Sequence, residues 1–180
     1  QKCFDYCDNG DTVYVDRGIY KEMIRIHSKE LTIIGIDTDE CVVDGTGLVG
    51  SIYDFVLIYQ IGGTINVNNV KFKRKKSIYE NYDYGFYNLS GTLKIESCIF
   101  DSTSTSLIAD GPTVVNKSLF TNVDEGVVVS RQNQIKIKNS LFSIANISDF
   151  ACGIKNAVYN GTFEITNNIF YTSPNNILFI

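Results

Sequence analysis

The chain has 180 residues, 44% of them hydrophobic and 20% charged, with a formal net charge of −4. That length builds one full core, and the apolar fraction excludes a disordered tail. The mild negative charge gives no general pull toward nucleic acid or anionic membrane, and no apolar run approaches the ~20 residues of a membrane-spanning helix.

Taken in chain order, Gln1–Cys7 places Cys3, Phe4 and Cys7 at helical spacing and predicts a short helix. Asp11–Val15 reads as a strand, Gly18–Tyr20 as a turn, and Met23–Ile26 and Leu31–Ile34 as further strands. Gly35 breaks the run, Cys41–Asp44 extends again, and Gly45 and Gly47 turn it.

From Thr64 onward one phrase recurs. Its five copies end on Phe72, Phe100, Phe120, Phe142 and Phe170, in steps of 28, 20, 22 and 28 residues. Each step is the length of one rung of a β-solenoid. Within each copy apolar residues alternate, as in Ile65/Val67, Leu93/Ile95 and Ile135/Ile137, the signature of a strand with one buried face. The phase then breaks at Asn69, Ser97, Lys117, Asn139 or Asn167, and a second short strand carries the Phe. Equivalent positions of successive rungs lie ~4.8 Å apart, so the Phe rings are expected to stack inside and the Asn side chains to ladder at the corner. A third strand per rung is expected at Tyr53–Tyr59, Gly85–Tyr87, Ser106–Ala109, Gly126–Ser130, Ala157–Tyr159 and Ile177–Ile180.

These elements predict an all-β chain: a right-handed, single-stranded parallel β-helix of about six rungs, residues 1–180 forming one domain. The N-terminal helix is expected to cap its open end. The last strand, Asn176–Ile180, has nothing after it, so the domain is expected to belong to a longer chain or assembly, with end-to-end contacts at this strand.

Chemistry-bearing residues are sparse. Five dispersed cysteines without CxxC spacing read as buried thiols, with one disulfide as the alternative, and no metal site or cofactor is expected. Asp8-Asn9-Gly10-Asp11 and Asp37-Thr38-Asp39-Glu40 read as polar turns. His27, the single histidine, has no evident acid–base partner. The unusual stretch is Lys71–Tyr84, where five basic residues precede a tyrosine-rich, acidic segment. It falls between rungs and should protrude as a loop. Lys73, Arg74, Lys75 and Lys76 suit an acidic polymer, and Tyr79, Tyr82 and Tyr84 suit stacking on sugar rings or a protein partner. Four sequons, at Asn88, Asn116, Asn146 and Asn160, are compatible with a secreted or surface location.

Gly10-Asp-Thr-Val-Tyr-Val15, Gly18-Ile-Tyr20, Leu31-Thr-Ile-Ile-Gly35 and Val43-Asp-Gly45 together resemble the opening of pectin-lyase-like β-helix proteins. The later phrases, Tyr87-Asn88…Gly91-Thr-Leu-Lys-Ile95…Phe100 and Tyr159-Asn-Gly-Thr-Phe-Glu-Ile165…Phe170, resemble adhesin-like and polymorphic outer-membrane-type surface proteins. The resemblance covers the whole chain and implies the fold; its motifs encode rungs, not a site.

The catalytic sets of the related enzymes are not found. The polygalacturonase-like pattern needs paired aspartates and Gly-His-Gly. The pectin-methylesterase-like pattern needs a Gln and two Asp on one strand face with an Arg, and Asp54 lacks such partners. Arg131, a candidate base for the lyase-like pattern, has no carboxylate cluster facing it in the sequence. No catalytic residue is therefore assigned. The expected function is a non-catalytic secreted or cell-surface β-helix for adhesion, glycan binding or spacing, with glycans or another surface protein as partners. The alternatives are a polysaccharide-active lyase or hydrolase and an intracellular, cytoplasmic scaffold of a large assembly.

Overall fold

A computed structural model describes residues 2–48, 56–74, 84–131, 133–144, 152–157 and 161–172, and all structural statements here concern those residues. After helix α1 (Lys2–Tyr6), the first rung is β1 (Thr12–Val15), β2 (Gly18–Tyr20) and β3 (Ile24–His27). Then follow β4 (Glu30–Gly35), β5 (Cys41–Asp44), β6 (Val56–Asn68), β7 (Lys71–Lys73), β8 (Tyr84–Glu96), β9 (Ile99–Asp101) and β10 (Thr105–Ala109). The last rungs are β11 (Thr113–Asn116), β12 (Leu119–Val123), β13 (Glu125–Val129), β14 (Gln134–Lys138), β15 (Leu141–Ile144), β16 (Cys152–Asn156), β17 (Thr162–Thr166) and β18 (Ile169–Thr172).

Every strand pairing is parallel, and each strand pairs with its equivalent one rung away. Three columns result. The first stacks β3, the front of β6, the front of β8, β10, β13 and β16. The second stacks β1, β4, the backs of β6 and β8, β11, β14 and β17. The third is a seven-stranded sheet of β2, β5, β7, β9, β12, β15 and β18. It counts seven rungs where the sequence suggested about six, because residues 11–44, read as one first rung, form two, and neither β2 nor β5 carries a Phe-ending phrase.

The predicted ladders form. Phe72, Phe100, Phe120, Phe142 and Phe170 stack with centroids 5.0, 4.9, 4.4 and 4.9 Å apart. They face a row of small residues, Gly85, Ser106, Gly126 and Gly153, across the coil. A Cβ at Gly126 would stand 2.7 Å from the Phe142 ring and 2.3 Å from the Gly153 carbonyl, so the ring fixes the glycine. The corner residues Asn69, Ser97, Lys117, Asn139 and Asn167 all adopt left-handed φ values of 49–55°. That is why Asn recurs there: it tolerates this region, and a β-branched residue does not. The Asn ladder joins neighbours slightly out of phase, with Asn139 donating to Asn116 at 2.9 Å and Asn167 to Asn139 at 3.5 Å. Just inside it, Ser118, Ser140 and Asn168 each accept the backbone N–H of the equivalent residue in the preceding rung.

Three sequence expectations shift. Gly18–Tyr20, read as a turn, is strand β2, paired with β5. The third strand is not separate from the repeated phrase in β6 and β8, which run 13 residues each and bend between the first and second columns. The bend in β6 needs Gly63 at φ +71°, where a Cβ would meet the Lys29 carbonyl at 2.0 Å. The strand paired with β13 is Cys152–Asn156, ahead of the expected Ala157–Tyr159, of which Val158 and Tyr159 lie outside the described residues. Of the strand expected at Tyr53–Tyr59, residues 56–59 form the front of β6, while residues 53–55 and the strand expected at Ile177–Ile180 lie outside the described residues.

The N-terminal cap is present. Phe4 of α1 is buried in the core, and Lys29 Nζ donates to the Phe4, Asp5 and Cys7 carbonyls at 2.7, 3.1 and 2.8 Å, tying down the helix C-terminus. The polar turns form as read: Asp11 accepts the Asp8 N–H at 2.8 Å and Asp37 the Asp39 N–H at 3.0 Å. All five cysteines are free, with Cys41, Cys98 and Cys152 buried. Burial pushes the Cys98 thiol up to about 12, which makes it inert.

Candidate functional site on the outer face of the first sheet

Strand alternation sends every second residue of the first column outward. The register lines up Arg25, Tyr59, Tyr87, Ile108, Val128 and Lys155 along the coil axis. Tyr59 and Tyr87 meet edge to face, centroids 5.3 Å apart, and Tyr84 lies 6.4 Å from Tyr87. Three tyrosines thus form an amphipathic patch on a rigid strand face.

Beyond the patch, Asp110 follows β10 on the outward side. Tyr87 OH donates to its Oδ2 at 3.0 Å, Ser130 Oγ donates to its Oδ1, and Arg131 Nε lies 3.5 Å from Oδ2. Asn133 Nδ2 donates to the Asp110 carbonyl. The Asp110 side chain is only 2% exposed beneath these partners, whereas Arg131 is 61% exposed. The carboxylate therefore serves as an anchor: it fixes the guanidinium and the phenol while leaving most of Arg131's five N–H donors to solvent. Burial, then the Asp110 carboxylate and its hydrogen bond, push the Tyr87 hydroxyl up to about 12. At the far edge Glu125 accepts from Thr105 at 2.9 Å and pairs with Lys155 at 2.6 Å.

The arrangement offers aromatic faces beside an oriented, exposed guanidinium. Chemically that suits a sugar ring bearing a carboxylate, with the ring on tyrosine and the carboxylate forked by arginine. Among the described residues no group of three or more His, Cys, Asp or Glu is placed to hold a metal ion.

The residues predicted for binding are dispersed. Lys73 is exposed at the end of β7. Arg74 is buried at 3%, its backbone N–H bonded to the Asp101 carbonyl and its stem against Gly45, which takes it off the exposed basic surface. Tyr84 opens β8 and joins the tyrosine patch. Lys75, Lys76, Tyr79 and Tyr82 lie outside the described residues, as does Asp54. Arg131, which showed no carboxylate partner in the sequence, pairs with Asp110. The signal was present: Asp110 and Arg131 follow aligned strands by one and two residues, so matching Leu107 to Val127 puts them on adjacent rungs. Gln60 faces inward, donating to the Gly62 and Thr92 carbonyls at 3.3 and 3.1 Å. The set of one Gln, two Asp and one Arg on one face is therefore not assembled among the described residues. Asn88 of the first sequon is also fully buried, which keeps that site from a glycosylating enzyme in the folded chain.

No family model matches the chain, and no curated protein does. Solved structures do. The pectin methylesterase of Aspergillus niger, in its deglycosylated form, is similar over 98% of this chain and 86% of its own, with TM-score 0.54 and 12% identity. The penultimately deglycosylated form of that enzyme matches over 97% and 82%, at the same TM-score and identity. The pectin methylesterase of Yersinia enterocolitica matches over 93% and 62%, with TM-score 0.54 and 11% identity. The fold is the right-handed parallel β-helix. At this identity the likeness is one of fold, and it agrees with the pectin-lyase-like opening of the sequence. The closer likeness to adhesin-like surface proteins is not shown by these structures.

Proposed function

We propose that this chain binds acidic polysaccharide along the outer face of its first sheet. The observation that carries this reading is the oriented Arg131 guanidinium, anchored by Asp110 and standing beside the Tyr59–Tyr87 patch. The fold likeness to pectin methylesterases supports it, since a coil of this kind presents a long, straight outer face to a polymer. It also favours a role on polysaccharide over pure spacing or adhesion. A secreted or surface location follows from the same reading.

The test is calorimetric titration with polygalacturonate and with neutral dextran. Polygalacturonate binds and dextran does not, and Arg131→Ala weakens binding about tenfold, the loss of one charge-assisted pair. Equal, negligible heats with both polymers would sink the reading.

A second reading, ester hydrolysis, is favoured by one observation: a carboxylate and an arginine are paired on the outer face. Methanol release from methyl-esterified pectin, abolished in Asp110→Asn, would establish it. Binding without release leaves the chain a recognition module.

A further inference from the structure

The cap helix leaves an opening against the first rung. Between α1 and β3 lies a cleft of about 540 Å³ lined by Phe4, Asp5, Met23, Arg25, His27 and Lys29. Its floor is apolar, with Phe4 and Ile26 both buried. Its rim is basic. Arg25 and His27 project to the exposed side of β3, as the alternating burial of Ile24, Arg25, Ile26 and His27 requires. Lys29 is committed to the α1 carbonyls, so the negative end of that helix is neutralised where it faces the cleft. Among the described residues Asp5 is the single carboxylate in the lining, and the cleft is a cationic spot on a chain of net charge −4.

The cleft continues the face already described. Arg25 is the register partner of Tyr59, which meets Tyr87, and Arg131 belongs to the rung of β13. Arg25 and Arg131 therefore stand four rungs apart, roughly 19 Å along the axis, with the two tyrosines between them. Arg25 is engaged within the chain, yet a guanidinium has five N–H donors and can take a carboxylate as well.

We propose that the α1–β3 cleft, through Arg25 and His27, is a second anion-accepting subsite of this face, taking a sugar carboxylate at the N-terminal end of the bound polymer. The inference rests on the acidic-polysaccharide reading. It makes affinity depend on length, because only an oligosaccharide that reaches both guanidinium groups engages the cleft.

The test compares two oligogalacturonates in calorimetric titrations: a disaccharide, and an oligomer long enough to span roughly 19 Å. The long oligomer binds wild type at least tenfold tighter than the disaccharide. In the double variant Arg25→Gln/His27→Gln this advantage falls about tenfold while disaccharide binding is unchanged. Both residues are exposed, and an unchanged thermal midpoint verifies that the variant is folded. If the double variant binds the long oligomer as wild type does while Arg131→Ala weakens both ligands, the cleft is no subsite and the face remains. If wild type binds neither ligand, the reading of the face and the subsite fall together.

Discussion

Tyr87 ties the acid–base behaviour of the outer face to stability. Its folded pKa of about 12 lies above the ~10 of an unfolded tyrosine, so the native state keeps a proton that the unfolded chain releases. The associated stability is intact below about pH 10 and declines as pH rises toward 12. Alkaline absorbance titration is expected to show one tyrosine lagging the exposed ones, and Tyr87→Phe to remove the laggard. Asp101 behaves oppositely. Burial alone would raise it, but hydrogen bonds from Asn122 and Ser102 at 3.2 and 2.9 Å, with the Lys71 ammonium at 3.4 Å, hold its carboxyl below the usual range. Its stabilisation is present above an unfolded pKa of ~3.9 and is lost as pH falls through the lower folded value. Asp101→Asn is expected to lower stability at neutral pH by about 1 kcal/mol and to flatten the acid limb of a urea-melt series.

At the scale of the strand and corner, side-chain identity is set by what lies one rung away. Phe120 is fully buried between Phe100 and Phe142. Phe120→Ala leaves a gap that the two flanking rungs cannot close, and a loss of about 3–5 kcal/mol in denaturant unfolding is expected. The corners give the opposite lever. Lys117 occupies a left-handed position at φ 49°, and its bridge to Glu96 at 3.2 Å is solvent-exposed and weak. Asn at this corner tolerates the backbone better, so Lys117→Asn is expected to raise stability by about 0.5–1 kcal/mol and lift the thermal midpoint. A fall in the midpoint would mean that the ladder with Glu96 outweighs the backbone preference.

Over the whole molecule, each rung contacts chiefly its neighbours, so stability sums along one dimension. The middle rungs have neighbours on both sides. Ile95, Val115, Ile135 and Ile137 are essentially inaccessible, whereas Ile165 in β17 is 36% exposed. Hydrogen exchange is therefore expected to be slowest in the backs of β8 and β11 and faster in β17 and β18. Uniform protection from end to end would argue for a single cooperative block. The same linear order makes the outer face a straight platform, with the outward residues of each rung available for a polymer.

The sequence by itself determined the coil: the five phased Phe residues, the Asn-type corners and the cap helix are local, periodic signals, and stacking repeats them at every rung. It did not determine the rung count, because the first two rungs lack the phrase, nor the bends in β6 and β8, where Gly62, Gly63 and Gly91 are read only against the neighbouring rung. The candidate site was least legible. Basic residues crowded in one stretch drew attention to Lys73–Lys76, yet Arg74 turns inward and Tyr84 joins a strand. Tyr59, Tyr87, Asp110 and Arg131 are separated by 20 residues or more. Only the parallel register brings them together, because the coil converts one turn of sequence into a single strand spacing, ~4.8 Å.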